Sequence, residues 1–512
     1  MKIFNKKTLY IITSFIAGFS VMTVELISSR IVAPIIGSSV FTWTSVIGIT
    51  LLGLSIGSWI GGILADKAGN KKTLSLVLLV SSILVFIIPV LSKNTEFLTS
   101  NSASILWLNL LLSSYLFLLP AIAIGAIQPI ILKNFADDFS KIGSKYGLLS
   151  SIWSIGSVLG VFLTGFVFIS TIGSAETIFA IAAILLLTGL VFSIKDKKTL
   201  QIFILVIFIG LISFYFLQQK TIGKTNVVFQ KETDYYNVKV VDANLPDFGQ
   251  SRILFLDIDS HSIQPEKINE HFYPEMYPVF YNLKGNIKDI LVIGAGAYTM
   301  PKYFKEYYKN SSVSVIEMDP EMKKIGEDYF NLKKYDINTI VGDAKIVINT
   351  DPKKYDLIFG DAYNSFLSVP WYLLTKEWND EVKNKLNDNG IYAINFIGSM
   401  AGLKSEFTKS VLNTFKLSFP NFYIFVFGST PEQTQNIVFV GINGKLPLKE
   451  DELYGKLLQE KSFLYKRMLS AEYFENTTST ILTDNFAPVE KLMTPIMSEY
   501  LPEEINFVRK IQ

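Results

Sequence analysis

The sequence predicts a multi-domain chain: an α-helical transmembrane bundle, then a small antiparallel β domain, then a doubly wound α/β domain. Three observations lead there. Apolar runs of about 17 to 30 residues crowd the first 218 positions, each near the length a helix needs to cross a bilayer. Short β-rich segments begin after Lys224. Beyond Asn286, strand-like and helix-like segments alternate. With 512 residues the chain exceeds a single core, so the expected domains are 1–218, 224–284 and 285–512.

The apolar runs lie near 8–28, 43–65, 73–92, 104–132, 147–172, 176–194 and 200–217, which gives about seven spans. The first reaches Glu25 without a small-residue cleavage site, so it reads as a span and not a removable signal. Gly48, Gly53, Gly57, Gly61 and Gly62 in the second run, and Gly156, Gly160 and Gly165 in the fifth, suit close helix packing in lipid. Lys2, Lys6 and Lys7 precede the first run, and later lysines cluster in every second loop. Charge alternation over seven spans therefore puts the amino terminus in the cytoplasm and the region after residue 218 outside. Glu25 and Arg30 flank the end of the first run, where an ionisable group is either functional or part of a structural ion pair.

Composition narrows the chemistry. The chain is 49% hydrophobic and 18% charged. Residues 1–218 hold 14 basic and 7 acidic side chains, and the remainder holds 33 and 38, so a +7 part precedes a −5 part. An acidic second half argues against nucleic acid as the partner. There is no cysteine, and His261 and His271 are the only histidines, so thiolate chemistry is excluded and no metal site is expected. Carboxylates are the expected reagents.

In the second half, β-rich segments at 227–229, 237–241 and 252–257 suggest the antiparallel sheet. Strands are then expected at 289–293, 312–316, 337–341, 355–359 and 391–396, with helices near 300–309, 320–330 and 377–387. This is a Rossmann-like pattern, whose ligand sits at the carboxyl ends of the strands. Strand 289–293 runs into Gly294-Ala-Gly296-Ala297-Tyr298, a glycine turn that lets a ligand approach backbone and a helix amino terminus, although the third glycine of the dinucleotide pattern is missing. Glu317 ends the next strand, 23 residues after Gly294, where an acid can take ribose hydroxyls. Gly342-Asp343-Ala344 and Gly360-Asp361-Ala362-Tyr363 end the two that follow. Each acid alone reads as a loop or cap residue; together they describe a nucleoside pocket.

Residues 231–398 resemble the spermidine synthase (polyamine aminopropyltransferase) family. The likeness is carried by Glu232-Thr-Asp-Tyr235-Tyr236, Leu256-Asp-Ile-Asp-Ser-His261-Ser, Phe272-Tyr273-Pro-Glu275-Met and Val292-Ile-Gly-Ala-Gly-Ala-Tyr298-Thr, then by Ile316-Glu317-Met-Asp-Pro320, Val341-Gly-Asp343-Ala and Gly360-Asp361-Ala-Tyr. The whole chain resembles membrane-fused members, whose first span carries a stretch like Glu25-Leu-Ile-Ser-Ser-Arg30. Gly62 to Lys72 is similar to a loop of major-facilitator transporters.

The resemblance implies an S-adenosylmethionine-binding type of fold and aminopropyl transfer from decarboxylated S-adenosylmethionine to a small-molecule amine, with no tightly bound cofactor. It implies that Gly294, Gly296, Glu317, Asp343 and Ala344 bind the donor, with Glu317 on the ribose and Asp343 on the adenine amine. It puts Asp361 at the reacting centre with Tyr235 and His261, and Tyr273, Glu275 and Tyr363 along the amine channel. Asp484, in Leu482-Thr-Asp-Asn-Phe-Ala-Pro, either closes the pocket or caps a turn. The implied setting is a multi-pass cell-membrane protein, a homodimer by analogy with soluble relatives. Its soluble part is expected in the cytosol, where such nucleosides are made, against the charge alternation.

Three departures stand out. Ala297 replaces an aspartate that holds the donor's free amine in soluble members, His261 replaces a glutamine, and Pro274 follows the channel tyrosine. Two alternatives therefore stay open: a methyltransferase using ordinary S-adenosylmethionine on the same fold, favoured by Ala297, and a non-catalytic nucleoside-binding domain on a transporter-like bundle.

Overall fold

The computed structural model describes residues 6–99, 105–136, 141–194, 196–206, 226–269, 272–362, 369–474 and 479–511. The chain divides into two compact units, one of residues 1–225 with 232–236, the other of 226–231 with 237–512.

Among the described residues, the first unit holds six helices long and apolar enough to span a bilayer: α1 (Lys6–Ile36), α2 (Val40–Ala68), α3 (Lys71–Ser92), α4 (Ile105–Phe135), α5 (Ile142–Thr171) and α6 (Ser174–Ser193). The seventh apolar run is helical over 197–206, and 207–217 lie outside the described residues. Glycines set the closest packing. A Cβ on Gly18 would lie 2.1 Å from the Trp153 carbonyl, and one on Gly156 2.2 Å from that of Phe15, so α1 and α5 touch backbone to backbone. Gly57 and Gly61 do the same for α2 against α4, at 2.2 Å from the Ile122 carbonyl and 2.5 Å from that of Ala126. Gly48 and Gly62 face open space, so the sequence expectation of packing fails for those two.

Where the hydrophobic effect between spans is weak, small residues and interhelical hydrogen bonds take over. Ser14 donates to the Leu149 carbonyl (3.0 Å), Ser75 to that of Gly189 (2.8 Å) and Ser82 to that of Ala182 (2.7 Å). Trp59, Trp107 and Phe166 point outward. Arg30 does not pair with Glu25; its guanidinium donates to the Asp234 carbonyl. Glu232 accepts from the Ser174 amide (2.9 Å) and hydroxyl. Tyr235, on the same segment, is 39% exposed.

The second unit contains two sheets. The smaller runs β1 (Val227–Glu232), β2 (Asn237–Leu245), β3 (Gly249–Leu256), β4 (Asp259–Gln264) in chain order. Its apolar face (Val241, Ile253 and Phe255) packs with Phe507 and Val508 of the final helix. β4, Asp-Ser-His-Ser-Ile-Gln, has no apolar alternation to announce it.

The larger sheet contains β5 (Asp289–Ile293), β6 (Ser312–Glu317), β7 (Ile337–Val341), β8 (Tyr355–Gly360), β9 (Leu386–Gly398), β10 (Phe422–Val426), β11 (Gln435–Ile442) and β12 (Met468–Leu469). Their order is β12-β10-β11-β9-β8-β5-β6-β7. β7, β6, β5, β8 and β9 are parallel; β11, β10 and β12 add antiparallel strands beyond β9. The chain leaves β5 toward β6 on one side and later returns to β8 on the other. The β5/β8 boundary is thus the switch point where an open α/β sheet forms a crevice. Val292, Phe304, Val315, Phe359 and Ile391 are buried around it, at about 1.5–3 kcal/mol of transfer free energy per large apolar side chain.

Candidate active site

The glycine turn after β5 is tight for a stated reason. Gly294 has φ +92°, and a Cβ there would lie 2.4 Å from the Asp361 carbonyl at the end of β8. Gly296 has φ +48° and meets the Ser262 hydroxyl in the same way. Thr299 stands at the third-glycine position, and just before it Tyr298 adopts φ +58°. Its ring is fully buried and its hydroxyl pairs with Thr339 at 3.0 Å, which offsets a left-handed conformation costing about 1–3 kcal/mol. Helix α7 (Thr299–Tyr307) starts there.

The predicted strand-end acids line this crevice. Glu317 accepts from the main-chain amides of Ala295 and Asp319, both at 2.9 Å. Burial pushes its carboxyl above the ordinary value, and those amides pull the other way. Asp319 caps the next helix, accepting from the Glu321 amide at 3.0 Å. Asp343 caps α8 (Ala344–Thr350) through the Lys345 amide (2.9 Å) and the Ile346 amide (3.2 Å), with Ala344 buried behind it. Its second oxygen accepts from the Tyr372 hydroxyl at 3.0 Å.

Asp361 is held by side chains. Tyr273 donates to one oxygen and Asn395, on β9, to the other, each at 2.8 Å. Burial raises this carboxyl above its ordinary value; the Asn395 and Tyr273 hydrogen bonds and the charge of His261 act against that. His261 on β4 lies 4.0 Å from Asp259. Ser262, next along, accepts from the Ala297 amide at 3.0 Å and ties β4 to the glycine turn.

Glu275 shares the 3-10 turn of Tyr273 but faces the Tyr307 hydroxyl, 3.4 Å from both its oxygens. Burial raises its carboxyl as well. Asp484 binds Lys345 (2.5 Å) and Thr375 (2.8 Å). It thus fastens the carboxyl-terminal segment to the helix that Asp343 caps, and Lys345 and Thr375 lower its carboxyl despite partial burial. Tyr363 lies outside the described residues, and Tyr235 belongs to the first unit.

The structure thus brings Asp361, Tyr273 and His261 to one place in the second unit, with Gly294, Gly296 and Glu317 along the same strand ends. Asn395, Ser262 and Tyr372 were not anticipated. Asn395, flanked by apolar residues in Tyr-Ala-Ile-Asn-Phe-Ile, is a polar break in a buried strand, and that break is the signal that marks it.

A glycine turn, acids on successive parallel strands and an aspartate at the switch point define a Rossmann-like α/β unit. No family model matches the chain. A polyamine aminopropyltransferase of Vibrio vulnificus is 27% identical over 215 residues, covering 40% of this chain and 69% of that protein. Polyamine aminopropyltransferase 2 of Aquifex aeolicus is 22% identical over 424 residues, covering 78% and 81%. A probable spermidine synthase structure from Corynebacterium glutamicum has 16% identity and a TM-score of 0.42, covering 52% of this chain and 99% of its own. The chain is a transferase. Its sequence is similar to those of polyamine aminopropyltransferases.

Proposed function

We propose that this chain transfers an aminopropyl group from decarboxylated S-adenosylmethionine to an amine acceptor, anchored in a membrane by its helical unit. The observation that carries the reading is the Asp361 carboxylate at the β5/β8 switch point, held on both oxygens by Tyr273 and Asn395.

The reaction is an in-line displacement. The acceptor ammonium first loses a proton. Its nitrogen lone pair then attacks the methylene beside the donor's sulfonium, the C–N bond forms and the C–S bond breaks. The electron pair goes to sulfur, neutral methylthioadenosine leaves, and the positive charge ends on the product nitrogen. The leaving group is activated by its own charge, so the protein's tasks are orientation and proton removal. Asp361 suits both: fixed by two donors, it holds an ammonium electrostatically and draws off its proton. Glu317, with one amide on each oxygen, keeps lone pairs for two ribose hydroxyls, and Asp343 keeps acceptor capacity for an exocyclic amine.

A second reading is favoured by Ala297, which leaves the glycine turn without a carboxylate for the donor's free amine. On that reading the enzyme uses ordinary S-adenosylmethionine and transfers methyl. Thermal shift of the full chain in detergent separates the two. Stabilisation by decarboxylated donor and methylthioadenosine over ordinary S-adenosylmethionine and NAD is the expected result; preference for the carboxylated donor moves the assignment to methyl transfer.

We place the catalytic unit on the cytosolic face, where the donor is made. Because the chain lacks cysteine, a single Leu403→Cys at a fully surface position tests this in intact cells. Reaction with a membrane-impermeant maleimide would put the unit outside, as the lysine alternation does.

A further inference from the structure

The acids of the crevice do not exhaust the buried carboxylates of this unit. Asp259 opens β4 and is 5% exposed. Glu504, on the final helix α9 (Val489–Ile511), is 4% exposed. One Glu504 oxygen accepts from the Ser260 amide at 2.9 Å, so the final helix is hydrogen-bonded to β4 at the residue between Asp259 and His261. β4 is bulged at His261, between the residues that pair with Leu254 and Phe255, and the imidazole lies 4.0 Å from the Asp259 carboxylate. Ser262, the residue after His261, is bonded to the glycine turn, whose Gly294 packs on the Asp361 main chain. Within four residues β4 therefore links Glu504 (through Ser260), Asp259, His261 and the glycine turn (through Ser262).

Two carboxylates buried together cannot both ionise cheaply, and such a pair retains one proton between them. Burial, with the Asp259 charge second, pushes Glu504 up to about 8. The titratable groups around this pair are His261 from β4, and Tyr500 and Glu503 from α9.

We propose that Asp259 and Glu504 are positioning residues for the transfer: the pair shares one proton and holds the His261 imidazole against Asp361, where it receives the proton that the acceptor amine gives up. The inference rests on the amine-transfer reading for its role, but the pair itself does not. Balance is simple. The ammonium proton passes by way of Asp361 to neutral His261, the imidazolium is matched by the single negative charge of the pair, and the proton leaves to solvent after turnover. Above the point where the pair loses its shared proton, two negative charges hold His261 in its protonated form and it can accept nothing.

The test uses the full chain in nanodiscs with ring-labelled histidine. Only two histidines exist, so a His271→Gln variant assigns both signals. In the wild type the His261 resonance should show a main titration and a second inflection near pH 8. Glu504→Gln, which keeps the acceptor for the Ser260 amide, should abolish the second inflection, and Asp259→Asn should lower the main midpoint by at least one pH unit. With turnover followed in parallel, both variants should lose kcat about 10- to 100-fold with donor KM within twofold, and the alkaline fall in rate should vanish in Glu504→Gln. If His261 titrates in Glu504→Gln as in the wild type, or if both variants lose thermal stability and kcat with an unchanged pH profile, the acid pair is structural and the proposal falls. The imidazole readout needs no substrate. Titration as expected without amine turnover by the wild type would uphold the pair and overturn the aminopropyl reading.

Discussion

The two sides of the crevice hold their acids by different means. On the β6/β7 side, Glu317 and Asp343 are gripped mainly by main-chain amides, those of Ala295, Asp319, Lys345 and Ile346. On the β8/β9 side, Asp361 is gripped by the Tyr273 and Asn395 side chains, with His261 close by. Amides are fixed donors that cannot change protonation, so the first arrangement suits static recognition. The Tyr273 phenol, unlike the Asn395 carboxamide, can take part in moving a proton, so the second suits a step in which charge changes. On the proposed reading, carboxylates are put to binding on one side of the switch point and to chemistry on the other.

The largest effect that would sharpen this contrast is expected for Asp361→Asn. It should lower kcat by about 10²–10⁴-fold, the range of positioned proton transfer, with methylthioadenosine affinity within about twofold. It should also raise thermal stability. Because the folded carboxyl sits above its ordinary value, the native state holds its proton longer than the unfolded chain as pH rises, and ionising it at neutral pH opposes folding. The gain should be present at pH 7 and absent below the ordinary carboxylate range; a lower melting temperature at pH 7 would count against a burial-strained carboxylate. Glu317→Gln comes next. Loss of a charged acceptor at about 1.5–3 kcal/mol should weaken methylthioadenosine binding roughly 10- to 150-fold, measured by calorimetry, with kcat at saturation little changed. A kcat loss with unaltered binding would erase the difference between the two sides.

Asn395→Ala removes one donor from Asp361 and should reduce kcat by about 3- to 10-fold while raising the pH at which the acidic limb of the rate begins, since one lowering influence is gone. Smallest is Tyr372→Phe, which leaves the two cap amides on Asp343 intact. It should cost about 0.5–1.5 kcal/mol in nucleoside affinity and nothing in kcat.

The β6/β7 side was legible in the sequence and the β8/β9 side only half so. Glycines at the turn, acids at strand ends and a cap at Asp343 are local features, set by backbone geometry within a few residues. The parallel strands were announced by their apolar runs. The partners of Asp361 lie 88 and 34 residues away, and nothing local in Asn395 or Tyr273 says that they meet. β4 escaped because its composition is polar. Glu504 contacts Ser260 across 244 residues, and only the packing of Phe507 and Val508 on the small sheet delivers it there.

Tyr298 has one more consequence. A glycine at that bend would let the loop breathe and adapt to several ligands. A phenol anchored beneath the sheet makes it a rigid mould, cast before any visitor arrives. Selectivity among sulfonium nucleosides would then arise from shape complementarity already present, and Tyr298→Gly should broaden the range of compounds admitted.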